Sequence, residues 1–524
     1  MAAVEDPGPI DKSVLYDQES HVSSAVWDGQ ERGVLRCHEH TSMLDQWKLT
    51  PQQIELVEKA GFGFFRLLPT IYLDNSLISA LVERWRRETN TFHLPVGEMT
   101  ITLEDVGLIL GLPIDGRPVT GVTSRTPSST CEELLGKAPE DLNGGMLKLT
   151  WLKECFSKCP DNASIDTLER HTRAYLLYLV GSTIFSTTTG NKVSIMYLPL
   201  FEIFDEAGKY AWGAAALAFL YRALGNASLK SQSTISGSLT LLQCWSYYHL
   251  SVGRPKVSQE ANQNAFPLAL RWKGRQSGSR STSNILAYRK ALDSLKQSDV
   301  QWVPYKDLDL TVIPEHILNN LNLRTSKTVL ICFDKAERHM PDRCLRQFGL
   351  PQPIPENVKK WEKKIRALDQ GIDWSIDVES APQAASQSVT QSTPRSQSKG
   401  KLQSELKEWS ERKLHIVEDG DEIDDSVEES DYIKWYEKIT RKFVGRPESL
   451  ESEFQRTVAA MKEIANLADT VSTERMDSRD KKLLEDVKDA VHSCLMDVVG
   501  EPRKVRRKTA AKRKKIDDSN GKDE

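Results

Sequence analysis

Residues 91–121 read TFHLPVGEMTITLEDVGLILGLPIDGRPVTG, and this stretch carries the clearest structural signals of the chain. Extended apolar pieces stand on both sides of the turn-forming tripeptide Pro95-Val96-Gly97. Two such pieces around a proline and glycine turn are typical of a β-hairpin. The stretch therefore predicts a short antiparallel hairpin.

The residues after the hairpin carry the signals of a helix start and a helix stop. Thr102 has the side chain of an N-cap, and Glu104 and Asp105 follow in the first turn. Carboxylates there favour the positive end of the helix dipole. Gly111 is a natural stop, and Pro113 prevents continuation. A helix is expected between these signals.

Helical signals also precede the hairpin. Thr50 and Gln53 have the spacing of a capping box, and Gly61 is a natural end for that helix. Apolar residues at helical spacing predict a second helix from about residue 76 to 89. Three arginines of this second helix are expected on a solvated face, with contact to an acidic partner as the alternative: Arg84, Arg86 and Arg87.

The middle of the chain is dominated by helical periodicity. Helices are expected over residues 171–185, 205–224, 239–250 and 284–297. Strand-like pieces follow at residues 300–305 and 328–333. The fold class expected is mainly α with small β-hairpin and sheet elements, an α+β fold, in one large helical domain.

Changes in composition divide the chain into five segments. A Ser, Gln and Pro-rich stretch cannot bury enough apolar surface to offset its ordering entropy, so it is expected to be a disordered linker. The segments are a polar N-terminal part (1–48), the domain (49–372), the linker (373–402), charged and amphipathic helices (403–500) and a basic tail (501–524).

The overall composition is that of a globular protein. The formal net charge is −4, and eight cysteines are spread thinly through 524 residues. This distribution is typical of reduced thiols, since small disulfide-stabilised scaffolds pack cysteines densely. The longest apolar runs are shorter than the ~20 residues that cross a bilayer, so no membrane role is expected.

Opposite charges are separated near the C-terminus. Residues 418–431 carry nine carboxylates, and Ser426 lies among them in a setting that acidophilic kinases favour. The basic tail resembles a nuclear import signal, with a solubilising role or a grip on nucleic acid as the alternatives. Its basic residues are Arg503, Lys504, Arg506, Arg507, Lys508, Lys512, Arg513, Lys514 and Lys515.

Catalytic signatures are poor. The sequence has no phosphate-binding glycine loop, dinucleotide fingerprint, nucleophile elbow or His-Glu-x-x-His helix. Residues 37–40 (Cys-His-Glu-His) and the pair Cys155 and Cys159 offer metal ligands, but neither has a partner pair at a familiar spacing, so no metal is expected. Capping and turn roles account for most of the carboxylates near the hairpin, with acid–base catalysis as the alternative.

The stretch 91–121, with its preceding FGFFRLLP at 62–69, resembles the signature of the plant mobile domain family. Two later pieces fit as well, WVPY at 302–305 and ERHMPDRCLRQFGLPQPIP at 337–355. The resemblance covers roughly residues 45–370. It is greatest to the stand-alone, MAIN-like members, since no fused phosphatase segment is present.

The resemblance implies a plant nuclear protein with roles in meristem maintenance, genome stability and silencing of transposable elements. It also implies a nuclear protein partner, with a phosphatase-like protein as the expectation. Six residues of the family motifs are the candidates for a partner surface: His93, Glu98, Asp105, Arg117, Arg346 and Gln347.

The family's "aminotransferase-like" label implies a pyridoxal cofactor, and the residues do not support one. Such an enzyme needs a Schiff-base lysine, a carboxylate at the ring nitrogen and a phosphate cup, and these roles cannot be assigned. A non-enzymatic interaction or scaffold protein without a cofactor is therefore the leading interpretation. The alternatives are direct DNA or chromatin binding and, third, a cryptic enzyme. The sequence does not decide the oligomeric state.

Overall fold

The structure is a computed structural model of the whole chain. It describes residues 7–30, 32–39, 44–121, 125–140, 142, 144–255, 265–273, 285–356, 403–417, 425–446, 461, 463–471 and 476–499. Two compact units result, Met1–Gly445 and Arg446–Glu524. The expected linker and the basic tail lie outside the described residues.

The predicted hairpin is confirmed, and a third strand joins it. Strands β2 (Trp85–Arg86), β3 (Thr91–Leu94) and β4 (Gly97–Met99) form an antiparallel sheet in that order. His93 stands opposite Glu98 in the register. Gly97 at the turn has φ +127°, a conformation that side chains rarely adopt, so the turn requires glycine here.

The predicted helix after the hairpin is confirmed too. Thr102 caps α4 (Leu103–Asp105), and a capping box forms with Asp105 as its second member. The helix continues as a π-helical turn, Val106–Leu110, and ends at Gly111, which has φ +68°. All of these residues are buried, so the motif lies in the interior of the domain.

Helices dominate the first unit, which confirms the expected fold class. The capping box of Thr50 with Gln53 forms at the start of α2. The remaining helices of this unit are α1 (Val22–Trp27), α2 (Pro51–Lys59), α3 (Asn75–Val82), α5 (Pro127–Leu135), α6 (Leu149–Phe156), α7 (Ile165–Ser182), α8 (Phe204–Ala207), α9 (Trp212–Ala227), α10 (Leu239–His249), α11 (Ile285–Asp293), α12 (Glu315–Leu318), α13 (403–410) and α14 (Asp425–Ile439).

Three small sheets complete the strands of this unit. Strand β1 (Arg36–His38) pairs in parallel with β7 (Thr234–Ser236). The antiparallel pairs are β5 (Met146–Lys148) with β6 (Lys192–Ser194), and β8 (Thr328–Cys332) with β9 (Lys335–His339). The strand expected at 328–333 is thereby confirmed.

Two expectations for local structure are wrong. The helix expected to reach residue 89 ends at Val82, because Trp85 and Arg86 pair with β3. Residues 300–305 are turns and irregular structure, not a strand. In both places, tertiary contacts override the local periodicity.

The arginines near the end of α3 do not form a solvated face. Arg84 and Arg86 are buried, Arg84 against Asp293 and Arg86 with a hydrogen bond of 2.8 Å to the side-chain oxygen Oε1 of Gln18. Arg87, which is partly exposed, pairs with Asp17. Acidic and polar side chains of the same chain therefore take the place of an external partner.

The main hydrophobic core of the first unit includes the buried faces of α7, α9 and α10. A second, smaller cluster is formed by Val14, Leu15, Tyr432, Tyr436 and Ile439. The small-residue stretch at the start of α9 permits close approach: a Cβ on Gly213 would lie 2.9 Å from the Pro113 carbonyl oxygen. Trp212 at the start of α9 stacks on Phe201, with 5.2 Å between their ring centroids. The motif loop after α4 is thereby fixed against the core.

Both ends of the first unit differ from the expected domain limits. The N-terminal segment packs on the domain, with Val14, Leu15 and Val22 buried. Residues 403–417 and 432–445, which the composition assigns to a separate charged region, also belong to this unit. The reason is that each carries buried aromatic side chains: Trp409, Tyr432 and Tyr436.

The second unit contains two helices among its described residues, α15 (463–470) and α16 (Ser478–Val499). Helix α16 lies within the segment 403–500, for which the composition predicts charged and amphipathic helices. No described helix of either unit is long and apolar enough to cross a membrane.

The buried carboxyl group of Glu39 contacts the start of α10 and leads to a prediction about the pH dependence of stability. Burial raises the pKa of Glu39 to about 8, although the Thr240 amide donates a hydrogen bond to its carboxylate. The folded chain then holds more protons than the unfolded chain between the two pKa values, so stability falls as pH rises from about 4.5 to about 8. We expect Glu39→Gln to remove this slope and to be the more stable chain at pH 8 by several kcal/mol, because one pKa unit corresponds to about 1.4 kcal/mol.

Denaturant unfolding of both chains at pH 5, 6.5 and 8 measures the effect. The difference in the free energy of unfolding should be small at pH 5 and should grow with pH. Parallel curves for the two chains would show that Glu39 does not titrate in this window.

Candidate functional site

An ion pair with both partners inside the protein lies at the centre of the motif. The Arg343 guanidinium donates two hydrogen bonds of 2.7 Å to the two carboxylate oxygens of Glu98. The Thr91 hydroxyl donates a third, of 2.9 Å. Burial lowers the pKa of Arg343, but the Glu98 charge and its hydrogen bonds outweigh that effect and raise it. The guanidinium therefore stays charged and fixes the hairpin to the segment around residue 343.

His93 lies beside this pair and is neutral. Its Nδ1 is 3.1 Å from the Thr440 hydroxyl, and its Nε2 is 3.6 Å from Glu98. Complete burial, followed by the charges of Arg86 and Arg343, holds the pKa of His93 well below its usual value. The ring is therefore a hydrogen-bonded part of the interior.

Two tyrosines of α14 cover the hairpin. The Glu98 amide donates a hydrogen bond of 3.1 Å to the Tyr432 hydroxyl, and the Tyr436 hydroxyl donates one of 2.8 Å to the Leu94 carbonyl. Their rings stack at 5.8 Å and are essentially inaccessible to solvent. A segment more than 330 residues away in sequence thus closes the hairpin from one side.

Arg346 and Gln347 attach the loop after β9 to the same hairpin through different contacts. Arg346 lies over the Trp302 ring at 4.1 Å and donates a hydrogen bond of 2.9 Å to the Val96 carbonyl. The Gln347 amide both accepts from the Thr100 amide at 2.7 Å and donates to the Thr100 carbonyl at 2.9 Å. These hydrogen bonds satisfy backbone groups of the hairpin turn and of the residue that follows β4.

Asp105 belongs to another group of contacts. Its carboxylate is 3.0 Å from His249 Nε2 and accepts a hydrogen bond of 2.7 Å from the Tyr305 hydroxyl. Burial raises the pKa of Asp105, but His249 and these hydrogen bonds lower it by more. The carboxylate also caps α4 through Thr102, so its interactions are all within the fold.

The solvent accessibility of these side chains distinguishes a catalytic role from a structural one. The side chains of His93 and Glu98 are inaccessible, and that of Asp105 is 1% exposed. A general acid or base must come within hydrogen-bonding distance of its substrate. A substrate reaches none of these three without opening the fold, so their arrangement supports the domain's interior.

The six candidates for a partner surface therefore divide. His93, Glu98, Asp105 and Gln347 are buried, and their assignment to a surface is wrong for that reason. Arg346 is partly buried between aromatic rings, and Arg117 is exposed.

Arg117 directly follows Asp115 and Gly116, which line a cleft of about 340 Å³. It pairs with Glu206 at 2.5 Å and lies over the Tyr210 ring at 5.1 Å. The floor depends on close backbone approach, because a Cβ on Gly208 would lie 2.1 Å from the Lys59 carbonyl oxygen. The cleft is lined by Glu58, Lys59, Gly61, Pro113, Asp115, Gly116, Gly208, Lys209, His316 and Asn320.

The end of α13 and the turn after it contact one wall of this cleft. The Trp409 indole donates a hydrogen bond of 3.1 Å to the Gly116 carbonyl, and Arg412 donates one of 2.8 Å to Asp115. Burial raises the pKa of Asp115, and the hydrogen bonds and charges of Lys413 and Arg412 more than reverse that rise. Two lining residues, Asp115 and Gly116, are thus held in place by a segment that follows the expected linker.

Sequence reasoning missed Tyr432, Tyr436 and Trp409. A signal existed for the tyrosines: they are four residues apart in a charged helix, a spacing that places both on one face. A signal existed for Trp409 as well, because Leu402, Leu406 and Trp409 recur at steps of four and three residues.

Several sequence-based candidates lie partly or wholly outside the described residues. The basic residues 503–515 are outside them, and Ser426 is helical by its backbone within α14 while its side chain is not described. Cys37 and Cys155 are free thiols, and no group of three metal-binding side chains occurs among the described residues.

Comparisons with known proteins agree with the resemblance of the motifs. The family model of the plant mobile domain matches residues 61–437. Protein MAIN-LIKE 2 of Arabidopsis thaliana is 56% identical over 95% of this chain and 71% of its own length. Protein MAINTENANCE OF MERISTEMS of the same plant is 49% identical over 90% of the chain and 92% of its own length.

A further relative has a different name. The "Serine/threonine-protein phosphatase 7 long form homolog" of Arabidopsis thaliana is 36% identical over 84% of this chain, but the match covers 32% of that protein. No solved structure matches. The family match extends beyond residue 372 to the tyrosines of α14, in agreement with their place in the fold. The chain therefore belongs to the plant mobile domain family.

Proposed function

We propose that this chain is a nuclear, non-enzymatic interaction protein that acts in meristem maintenance, genome stability and the silencing of transposable elements. The proposal rests on the burial of three ionisable motif residues, His93, Glu98 and Asp105. Their hydrogen-bond partners belong to the same chain. The MAIN-like relatives bear names that refer to meristems and to no reaction. A rigid domain with an exposed cleft is suited to binding another macromolecule.

The partner we propose is a protein of the serine/threonine phosphatase class. In the phosphatase relative, a region similar to this chain occupies about a third of a longer protein. A stand-alone chain and a separate phosphatase-like protein would reproduce that combination as a complex. The cleft beside Arg117 is the exposed part of the motif, and we propose that it contacts the partner.

Affinity purification from plant nuclei tests this partner. We expect the tagged chain to recover a phosphatase-like protein, and Arg117→Glu to reduce the recovery at least tenfold because it reverses the exposed charge at the cleft. Arg170→Glu is the matched control, since Arg170 is a partly exposed arginine that also pairs with a carboxylate. Recovery of the chain alone under gentle conditions would refute the proposal.

Nuclear import through the basic tail is a separate proposal with its own test. A cytoplasmic reporter fused to residues 500–524 should accumulate in the nucleus, and changing Lys512, Arg513, Lys514 and Lys515 to alanine should abolish that accumulation. A reporter that stays in the cytoplasm would contradict import. A mobility-shift assay of the full chain against residues 1–500 examines the alternative, in which the same tail grips DNA with a steep dependence on salt.

A further inference from the structure

An ion pair joins the two helices of the second unit, and each helix has one less exposed side. Ala465 and Ala468 of α15 are buried, and Asp469 at its end pairs with Lys488 of α16 at 2.9 Å. A short connection between neighbouring helices is typical of an antiparallel pair. The less exposed positions of α16 are Leu484, Lys488 and Val491, and they mark its side of the contact.

Large apolar side chains remain in solvent beside this contact. Their exposed fractions are 48% for Ile464, 61% for Leu467, 40% for Val471, 63% for Leu483 and 42% for Val487. At 100° per residue, the exposed stripe of each helix is rotated about 90° from its contact side, in the same sense. In antiparallel helices that shared rotation brings both stripes to one side of the pair. We call these five residues the apolar face.

The charges along α16 are arranged in two blocks. Residues 479–482 hold three basic side chains and one acidic one, whereas residues 485–489 hold three acidic side chains and one basic one. Leu483 and Leu484 lie between the blocks. Excess positive charge near the start of a helix opposes the helix dipole, so this order is unfavourable for an isolated helix.

We propose that the apolar face binds the same face of a second copy of this chain, with the two α16 helices antiparallel. A two-fold axis near Leu483 places the basic block of each copy against the acidic block of the other. The acidic block of each copy then compensates the unfavourable positive charge at the start of the other copy's α16. A parallel arrangement would oppose like charges. The product is a four-helix bundle with a continuous apolar centre. This proposal concerns self-association and does not rest on the proposed function.

The dimer should be weak. Five partly exposed side chains give each copy a patch on the order of a few hundred Å², below the roughly 800 Å² per partner of a standard stable interface. A dissociation constant on the order of micromolar, in the range of about 1–100 μM, fits such an interface. Self-association is then set by local concentration.

Sedimentation velocity of the full chain from about 1 to 200 μM is the first test. We expect a reversible monomer–dimer equilibrium, and Leu483→Glu or Leu467→Glu should weaken it at least tenfold by placing a charge in the apolar centre. Leu310→Glu is the matched control, because Leu310 is 57% exposed in the first unit. A monomer at all concentrations, or a dimer that both apolar-face variants leave intact, overturns the proposal.

Charge exchange tests the antiparallel arrangement. The variants Lys481→Glu/Lys482→Glu and Glu485→Lys/Asp486→Lys each place like charges together in a dimer with themselves, so each should associate at least tenfold more weakly. Mixed in equal amounts, they should form a heterodimer of about the original affinity. A mixture that associates no better than its components rules out the antiparallel bundle. Circular dichroism of each variant confirms that its helix content is unchanged.

Discussion

Arg343→Met should lower the free energy of unfolding by about 3–5 kcal/mol. Glu98 is completely buried, and two of its hydrogen bonds come from the Arg343 guanidinium. Methionine keeps most of the apolar stem and removes the charge, so a carboxylate remains inside the protein without its counter-ion. The cost is the desolvation of that carboxylate, which the ion pair offsets in the folded chain.

Denaturant unfolding monitored by tryptophan fluorescence measures this change. Arg117→Met is the matched control, because it removes an arginine from an exposed ion pair with Glu206 and should cost at most about 1 kcal/mol. In the double variant Arg343→Met/Glu98→Gln, the total loss should be smaller than the sum of the single losses. Similar costs for Arg343 and Arg117 would show that the motif's ion pair is open to solvent.

A chain ending at residue 372, the limit that composition suggests for the domain, should fail to fold cooperatively. It lacks Trp409, Tyr432 and Tyr436, and replacing one large buried aromatic side chain by alanine already costs about 3–5 kcal/mol. It also leaves the Glu98 amide and the Leu94 carbonyl without their tyrosine partners. The combined loss is comparable to the whole stability of a typical domain, about 5–15 kcal/mol.

The chain 1–445 is the control for this truncation, because it contains the complete first unit. Thermal unfolding followed by circular dichroism should give a sharp transition for 1–445 and a broad one, with binding of a hydrophobic dye, for 1–372. A sharp transition of equal midpoint in both chains would show that α13 and α14 are dispensable additions.

Local chemistry made part of the fold predictable. The capping boxes at Thr50 and Thr102 use residues three positions apart, and the turn at Gly97 and the stop at Gly111 need only their own backbone conformations. Such signals depend on residues that are close in sequence, so they do not depend on contacts with distant segments.

Contacts between distant segments were not predictable in the same way. The sequence places Arg86 on a solvated helix face. In the structure, Arg86 pairs with β3 through its backbone, and its side chain donates a hydrogen bond to Gln18. The charge pattern of residues 403–446 likewise suggests a separate region, since nothing local shows that the hairpin needs Tyr432 and Tyr436 as a cover. Burial of a charged motif depends on partners that periodicity does not reveal.

The candidate site shows the same division. The sequence correctly favours turn, cap and core roles for the motif, but it also nominates Glu98 and Gln347 for a surface because polar residues in a distinctive motif are commonly exposed. Only the contacts with Arg343 and Thr100 show why they are inside. Arg117 remains accessible because its acidic partner, Glu206, lies on the surface as well.

Hydrogen exchange of the amides of residues 91–99, read by mass spectrometry, tests most directly whether the motif is interior architecture closed by α14. In the full chain these amides should exchange as slowly as those of α10, and Tyr432→Ala/Tyr436→Ala should accelerate the hairpin far more than α10. Fast exchange of the hairpin in the unaltered chain, or no acceleration in the double variant, would contradict the account.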